Sequence, residues 1–519
     1  MRTPCDAVVP SEAGGNACSP DARPWILAAT ILGSSMAFID STVVNVALPA
    51  LQETFHATVV SVQWVVESYG LFLGALILVG GSLGDMFGRR LVFLTGVTTF
   101  AAASVVCGAA PSIKLLIFAR SVQGIGAALL VPGSLAIISK SFDEKSRGAA
   151  IGTWSGFTAI TTAIGPVLGG WLVEHASWRW VFFINLPLAA AVIVISMWRI
   201  TESRNPAAGH VDWLGAVLAT GGLGGVVFGF VESADLGWRN PLIVGSLIGG
   251  FAALAGFVWI EARSTAPMVP LSLFKDPSFA GTNLLTLLLY SGVGIFFFLF
   301  PLNLIQVQGY SSTKTGAAIL PMIVLMFLLS RWSGGLVTRY GPRSPLIVGP
   351  LIVAAGFVLF SVPSVSGNYW TAFFPAVLVL GFGMAITVAP LTTVVMNSVD
   401  QNRVGTASGI NNAVARVAGV LAVAVFGVII VYAFRERLDH TLHRLSVAPA
   451  ILHEIQGQET KLGGLQPPAN LDPVTRENVK AGIQGAFVFG FRIVVLICAG
   501  LSLASAAVAW RMIPKVDGH

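Results

Sequence analysis

The sequence predicts an all-α polytopic membrane protein, with two six-helix halves, two extra central helices and fourteen spans in all. Three observations carry the prediction. Charged residues are 10% of the 519 positions and hydrophobic ones 55%, whereas a soluble domain carries about 25% charged residues. Fourteen runs reach the mostly apolar length, roughly 20 residues, that crosses a bilayer. The lysines and arginines sort to one side of those runs, as the positive-inside rule requires.

The runs lie at 24–49, 62–81, 91–110, 113–138, 148–172, 178–198, 213–232, 240–262, 278–302, 316–337, 345–361, 370–397, 405–433 and 483–510. They divide the chain into a cytoplasmic tail 1–23, a first six-helix bundle 24–198, a linker 199–277 carrying the two extra spans, a second bundle 278–510 and a cytoplasmic tail 511–519. The tail 1–23 is polar and lacks the charged-then-apolar layout of a cleaved leader. An even number of spans puts both termini on one side. With that side cytoplasmic, Arg89, Arg90, Lys140, Lys145, Arg147, Arg199, Arg339 and Arg343 fall inside, and the short outside loops hold only Lys114, Arg179, Arg239 and Lys314. The net charge of +6 is then topogenic and calls for no nucleic-acid partner. Most tryptophans fall near span ends, as an interfacial belt requires. Trp154 and Trp332 do not, and are expected to face protein or a cavity.

Two loops echo each other. Gly81-Ser-Leu-Gly-Asp85-Met-Phe-Gly88-Arg89-Arg90 follows the second span, and Gly335-Leu-Val-Thr-Arg339-Tyr-Gly341-Pro-Arg343 follows the tenth. Internal repeats of this kind mark the halves of transporters. The exterior segment 434–482 begins with an amphipathic stretch, 434–456, which Pro467 and Pro468 end. Its Asp439, His440 and His443 read as a solvated helix face rather than a metal site. Cys5, Cys18, Cys107 and Cys498 have no metal or disulfide spacing.

The chemistry lies in polar residues at membrane depth. Asp40 sits near mid-membrane, with Ser41, Thr42 and Asn45 beside it. A charge there costs roughly 2.5–3.5 kcal/mol on insertion scales. Low dielectric disfavours the charged carboxylate, which makes Asp40 a candidate proton carrier or substrate contact. The competing reading is an Asp fixed by neighbouring hydroxyls and amides. Glu67 shares a helix face with Gln63 and Gly74, and is either a second coupling acid or an outer-interface residue. Arg120, on one face with Gln123 and Gly124, needs an anionic partner, and Asp40 is the obvious one; the alternative is a structural arginine on backbone carbonyls. Gly165, Pro166, Gly169 and Gly170 predict a kink and close helix approach near the outside. Gly81, Asp85, Gly88, Arg89 and Arg90 form a charged cytoplasmic turn suited to a conformational latch, and Gln63, Asn45, Tyr290, Gln306, Asn411, Asn412 and Arg416 are candidates to line a polar cavity. No nucleotide-binding loop, HExxH or nucleophile elbow is present, so no enzyme, metal or cofactor is expected.

Laid out in order, these residues resemble the motifs of the major facilitator superfamily, and most of all its fourteen-helix drug:proton antiporter branch. Asp40-Ser-Thr-Val-Val-Asn45-Val-Ala-Leu-Pro49 is similar to the branch's first-helix motif, Gly81–Arg90 to the superfamily loop, Arg120-Ser-Val-Gln123-Gly124 to the fourth-helix motif, and Gly165-Pro166-x-x-Gly169-Gly170 to the antiporter motif. Trp178–Pro187 and Asp212-Trp213-x-Gly215 resemble branch features. The resemblance implies a monomeric exporter of lipophilic drugs or antibiotics in the bacterial inner membrane, driven by proton exchange through Asp40, Glu67 and Arg120. It also implies a latch at Asp85 and Arg89 and an exporter kink at Gly165 and Pro166. Met86 departs from the usual basic residue, Thr338 replaces the second loop's acid, and the tenth span, with no acid and with Arg331, does not suit dications. Alternatives are an importer or metabolite transporter of the same fold, and a membrane sensor or scaffold that uses 434–482.

Overall fold

The computed structural model describes residues 21–204, 211–264, 267–365, 367–400, 403–445, 449–456, 458–468 and 471–515. Most of the two predicted tails, 1–20 with Cys5 and Cys18, and 516–519, lies outside the described residues. Among those described, fourteen helices are long and apolar enough to cross a membrane. They are α1 (Arg23–Phe55), α2 (Val59–Phe87), α3 (Arg89–Ala109), α4 (Ile113–Ser141), α5 (Glu144–His175), α6 (Trp180–Arg199), α7 (Trp213–Leu236), α8 (Pro241–Glu261), α9 (Pro277–Val307), α10 (Ser312–Gly334), α11 (Arg343–Phe360), α12 (Phe374–Asn397), α13 (Val404–Arg444) and α14 (Pro473–Met512). Helix starts are written locally. Thr58, Ser112, Asp143, Asp276, Ser311 and Asp472 accept backbone N–H groups at the heads of α2, α4, α5, α9, α10 and α14. Proline opens α1, α8, α9 and α14, where its missing N–H costs nothing.

Short connections make successive helices antiparallel. One end of the bundle, here face A, holds the α1–α2 connection; face B holds the α2–α3 connection. Within the first half α1 packs on α5 and α6, α4 on α2 and α3, and α3 on α6. The second half repeats the pattern: α9 packs on α13 and α14, α12 on α10 and α11, and α11 on α14. The halves meet along two seams, α2 with α13 and α5 with α10, which exchange places under the same two-fold relation. The echoed loops obey it too: Gly88 (φ +120°) and Gly341 (φ +72°) both take positive φ between the second and third helix of a half. The extra pair packs on itself, and α7 docks against both α2 and α13.

Three expectations are corrected. Hydropathy ends the last two spans at 433 and 483, but α13 runs 41 residues and α14 runs 40. Apolar windows report the bilayer, and a helix continues into water wherever its charged residues remain helix formers. The amphipathic stretch 434–456 is accordingly split: its first part is the end of α13, and Pro449–Gln456 is a separate helix. Trp332 is exposed on α10, whereas the span-end residue Trp178 is buried. Trp154 does face protein, donating to Ser34 Oγ at 3.1 Å.

Glycines set how closely helices approach. A Cβ on Gly126 would lie 2.7 Å from the Phe100 nitrogen and 2.9 Å from the Gly96 carbonyl, while Gly152 has nothing within 4 Å. Gly126→Val therefore lowers stability by about 1–3 kcal/mol through overpacking at α3–α4, and Gly152→Ala leaves it unchanged or higher. Thermal unfolding of the detergent-solubilised protein checks this; equal melting points for the two variants would refute it.

Candidate functional site

Asp40 lies halfway along α1 and is fully buried. Arg120 of α4 pairs with its Oδ2. Gln123, one turn along α4, donates to Asp40 Oδ1 at 2.8 Å and to Ser104 Oγ of α3 at 2.9 Å, and accepts from Arg120 at 2.7 Å. Asn185, near the head of α6, donates to the same Oδ1 at 3.3 Å. Arg120 Nε donates to the Val65 carbonyl of α2 at 3.0 Å, and the Tyr69 ring centroid lies 4.3 Å from its guanidinium carbon. Five helices of one half thus converge on a single ion pair. Sequence reasoning placed Asp40, Arg120 and Gln123; it missed Ser104 and Tyr69, and met Asn185 only as part of a motif. Ser104 and Tyr69 are indistinguishable in sequence from any polar residue in a span.

A cavity of about 220 Å³ adjoins this network, between α1, α2, α4, α9 and α13. Arg120 lines it, and Asp40 sits behind Arg120. Asn45, Glu67 and Arg416 of the predicted set also line it, as do Tyr69, Phe297 and Phe298. Glu67 is 1% exposed, and among the described residues neither carboxylate oxygen has a hydrogen-bond partner. The other candidates are placed elsewhere. Gln63 donates across the α2–α13 seam to the Val423 carbonyl at 3.3 Å. Asn411 ties α13 to α9 through Asn283 and Thr286, at 3.2 and 2.8 Å. Asn412 is exposed and donates to Ser408 of its own helix. Tyr290 packs against the large apolar core. Gln306 belongs to a contact at face A. Position along the helix is the reason: Asn411 and Asn412 share faces with Ala415 and Arg416 at i, i+4 spacing, but lie one turn beyond the end of the cavity lining.

The halves touch most closely near face A. The predicted kink motif lies there. α5 continues as a helix through Pro166, whose missing N–H leaves the Thr162 carbonyl without a helical partner. Thr42 Oγ1 lies 3.4 Å from that carbonyl. A Cβ on Gly165 would strike Thr42 and one on Gly169 would strike Val43, while Gly170 abuts the Ser312 carbonyl and Gly316 the Pro166 carbonyl. The motif thus presses α5 on α1 within its half and on α10 across the seam. Glu174 accepts from the Thr313 N–H at 3.0 Å. Toward face B, by contrast, Gly148, Gly152 and Gly156 of α5 have nothing within 4 Å.

A 3-10 turn, Glu459–Gly464, packs at face A on α1, α2, α9, α13 and α14. Gln52 at the end of α1 accepts from Gln306 of α9 at 2.9 Å and donates to the Lys461 carbonyl at 3.0 Å. Glu459 pairs with Arg435 at 3.0 Å. Burial, reinforced by the charge of Asp439, pushes its carboxyl up to about 7 in spite of Arg435.

The predicted latch is divided. Arg89 holds Asp85 Oδ1 through two nitrogens, at 3.0 and 2.8 Å. Arg90 does not join that pair; it donates to the Ile200 carbonyl at 2.9 Å. Glu202 caps α3, accepting from the Arg90 and Leu91 N–H groups at 3.0 Å each. Its carboxylate stands where a Cβ on Gly88 would, 2.5 Å away, so Gly88 is required both by φ and by space. Gly81 faces Pro132 of α4 at an ordinary 3.8 Å.

Comparison with known proteins places this geometry. The family model described as Major Facilitator Superfamily matches residues 30–423. The chain is 33% identical to the multidrug resistance protein Stp of Mycobacterium tuberculosis, over 95% of this chain and 92% of that one. It is 32% identical to the tetracenomycin C resistance and export protein of Streptomyces glaucescens, over 94% and 91%, and 32% identical to the puromycin resistance protein of Streptomyces alboniger, over 99% and 95%. Among solved structures it resembles a bacterial homolog of the human lysosomal transporter Spinster in an inward-facing conformation, with TM-score 0.65 and 16% identity over 96% of this chain and 100% of that one. The D-xylose-proton symporter gives TM-score 0.60 at 13% identity, over 95% and 99%.

The Glu459 carboxyl, raised above its ordinary 4.5, supports the folded turn fully at low pH, and that support is lost as pH rises through about 7. Amide exchange over 459–464, normalised for intrinsic rates, is expected to be several-fold faster at pH 8 than at pH 6, and to lose that contrast in Glu459→Gln. An undiminished contrast in the variant would assign it to another group.

Proposed function

The chain belongs to the Major Facilitator Superfamily, and from that premise we propose that it exports lipophilic small molecules across the bacterial cell membrane in exchange for protons. Relatives of near-equal length carry names of drug resistance and export, which supports outward transport. The observation that carries the proton half is the buried Asp40–Arg120 pair standing directly behind the wall of a cavity shared by both halves. Face B, which bears Arg89, Arg90, Lys140 and Arg343, is cytoplasmic in this reading, and α1 begins and α14 ends there.

The coupling follows from the network. With Asp40 ionised, Arg120 is held by Asp40, Gln123 and the Val65 carbonyl, and α1, α2 and α4 are locked together. A proton on Asp40 removes the negative charge that holds the guanidinium, and Arg120 is then free to turn along the cavity wall. Substrate loads from face B or the inner leaflet while the α5–α10 and Gln52–Gln306 contacts keep face A shut. Protonation of Asp40, with Glu67 as a second acceptor on the cavity wall, accompanies rocking of the halves and release at face A. Asp85 and Arg89 hold the face-B turn that the motion must pass. No cofactor is required, since the proton gradient supplies the free energy.

Inverted membrane vesicles carrying a proton gradient test the reading. Adding a panel of lipophilic antibiotics and dyes is expected to dissipate the gradient in vesicles with the wild-type protein. Asp40→Asn, which carries neither a titrating proton nor the charge that holds Arg120, is expected to abolish the response. Identical responses in the two would make Asp40 structural, and silence across a broad panel would favour transport of one narrow metabolite.

A further inference from the structure

Three charged side chains line the central cavity: Glu67 and Arg120 from the first half, and Arg416 from the second. They are not equivalent. Arg120 is balanced by Asp40 behind it. Glu67 has both oxygens buried without a partner, and a carboxyl group so placed can shed its charge by taking a proton. A guanidinium cannot. Arg416 makes no ion pair among the described residues; its guanidinium lies 5.3 Å from the Phe38 ring centroid. The one charge in the cavity that is neither balanced nor removable is therefore positive. It stands beside an apolar wall that includes Phe297, Phe298 and Val423.

We propose that the cavity recognises amphiphilic anions: the carboxylate, phenolate or enolate of a flat aromatic compound, with the acidic oxygens on Arg416 and the rings on the phenylalanine wall. This rests on reading the cavity as the substrate site of the exporter. A guanidinium presents paired donors to an oxyanion, and a phenyl face accepts the ring system. A permanent cation meets the fixed charge of Arg416 and is disfavoured. The choice of an anion also sets the energetics. Moving an anion outward and a proton inward transfers charge in the same sense, so an interior-negative potential drives every cycle.

The test uses the full-length protein in lipid nanodiscs and two dyes on one xanthene core, sulforhodamine B (net anionic) and rhodamine 6G (net cationic). Fluorescence anisotropy is expected to show sulforhodamine B binding tighter by about tenfold or more, the size of one charge-assisted hydrogen bond. Arg416→Gln removes the preference, Arg416→Lys keeps most of it, and Glu67→Gln preserves or strengthens it, each with a wild-type melting point. Tighter binding of rhodamine 6G, no difference between the dyes, no binding of either, or a preference that survives Arg416→Gln overturns the proposal. The two readings fail separately. Arg416-dependent anion binding without transport in vesicles would leave the anion site and remove the exporter, and pumping of rhodamine 6G alone would do the reverse.

Discussion

A carboxylate and a guanidinium held away from water dictate the first half of this molecule. Neither charge is tolerable alone at that depth, and removing either leaves the other unpaired at a cost of about 3–5 kcal/mol. A well-packed apolar pair would stabilise the bundle as well or better, so stability does not explain why Asp40 and Arg120 are there. The surroundings show what keeping them requires. Asp40 Oδ1 takes two amide donors, Arg120 takes a backbone carbonyl from a third helix, and Ser104 orients the amide of Gln123. In the proposed mechanism the pair is the switch, and its environment holds one of the two settings.

The same logic appears at a smaller scale in α5. Pro166 frees a carbonyl that an ordinary helix would satisfy, and Thr42, two residues from Asp40, stands over it. The glycines of the same stretch bring α5 onto α1 and α10 at backbone distance. The segment nearest the charge pair and the segment that closes face A are thus in direct contact. Displacing α1 at Asp40 displaces the surface on which the α5–α10 closure rests.

What the sequence discloses and what it hides have a physical division. Asp40 and Arg120 are legible because intramembrane charge is expensive and must be paired. Span number and the loop repeat are legible because they are periodic. The faces of helices that are apolar all round are not legible: α4 and α7 have almost no preferred side, and along α13 nothing in the sequence tells Asn411, which ties two helices, from Arg416, which lines the cavity. Contacts between distant segments are hidden for the same reason. Glu202 reaches its capping partner Arg90 across 112 residues, and Gln306 meets Gln52 across 254. Local pattern carries no record of either. The extent of α13 and α14 is misread because hydropathy measures solvent preference rather than helix length.

The extra pair of helices has a consequence for how the two halves move. Near face A, α7 is bonded to the first half through Trp64 and Glu232 at 2.7 Å, and to the second through Arg435 and the Ala234 carbonyl at 3.1 Å. A helix fastened to both walls of a seam acts as a splint. It covers the α2–α13 seam, while among the described residues the α5–α10 seam opposite has no such extra helix against it. The molecule therefore has a back and a front. For the lipophilic substrate of the proposed exporter one side is boarded up and the approach lies along the other, so the fourteen-helix plan makes an otherwise two-fold structure one-sided toward its membrane.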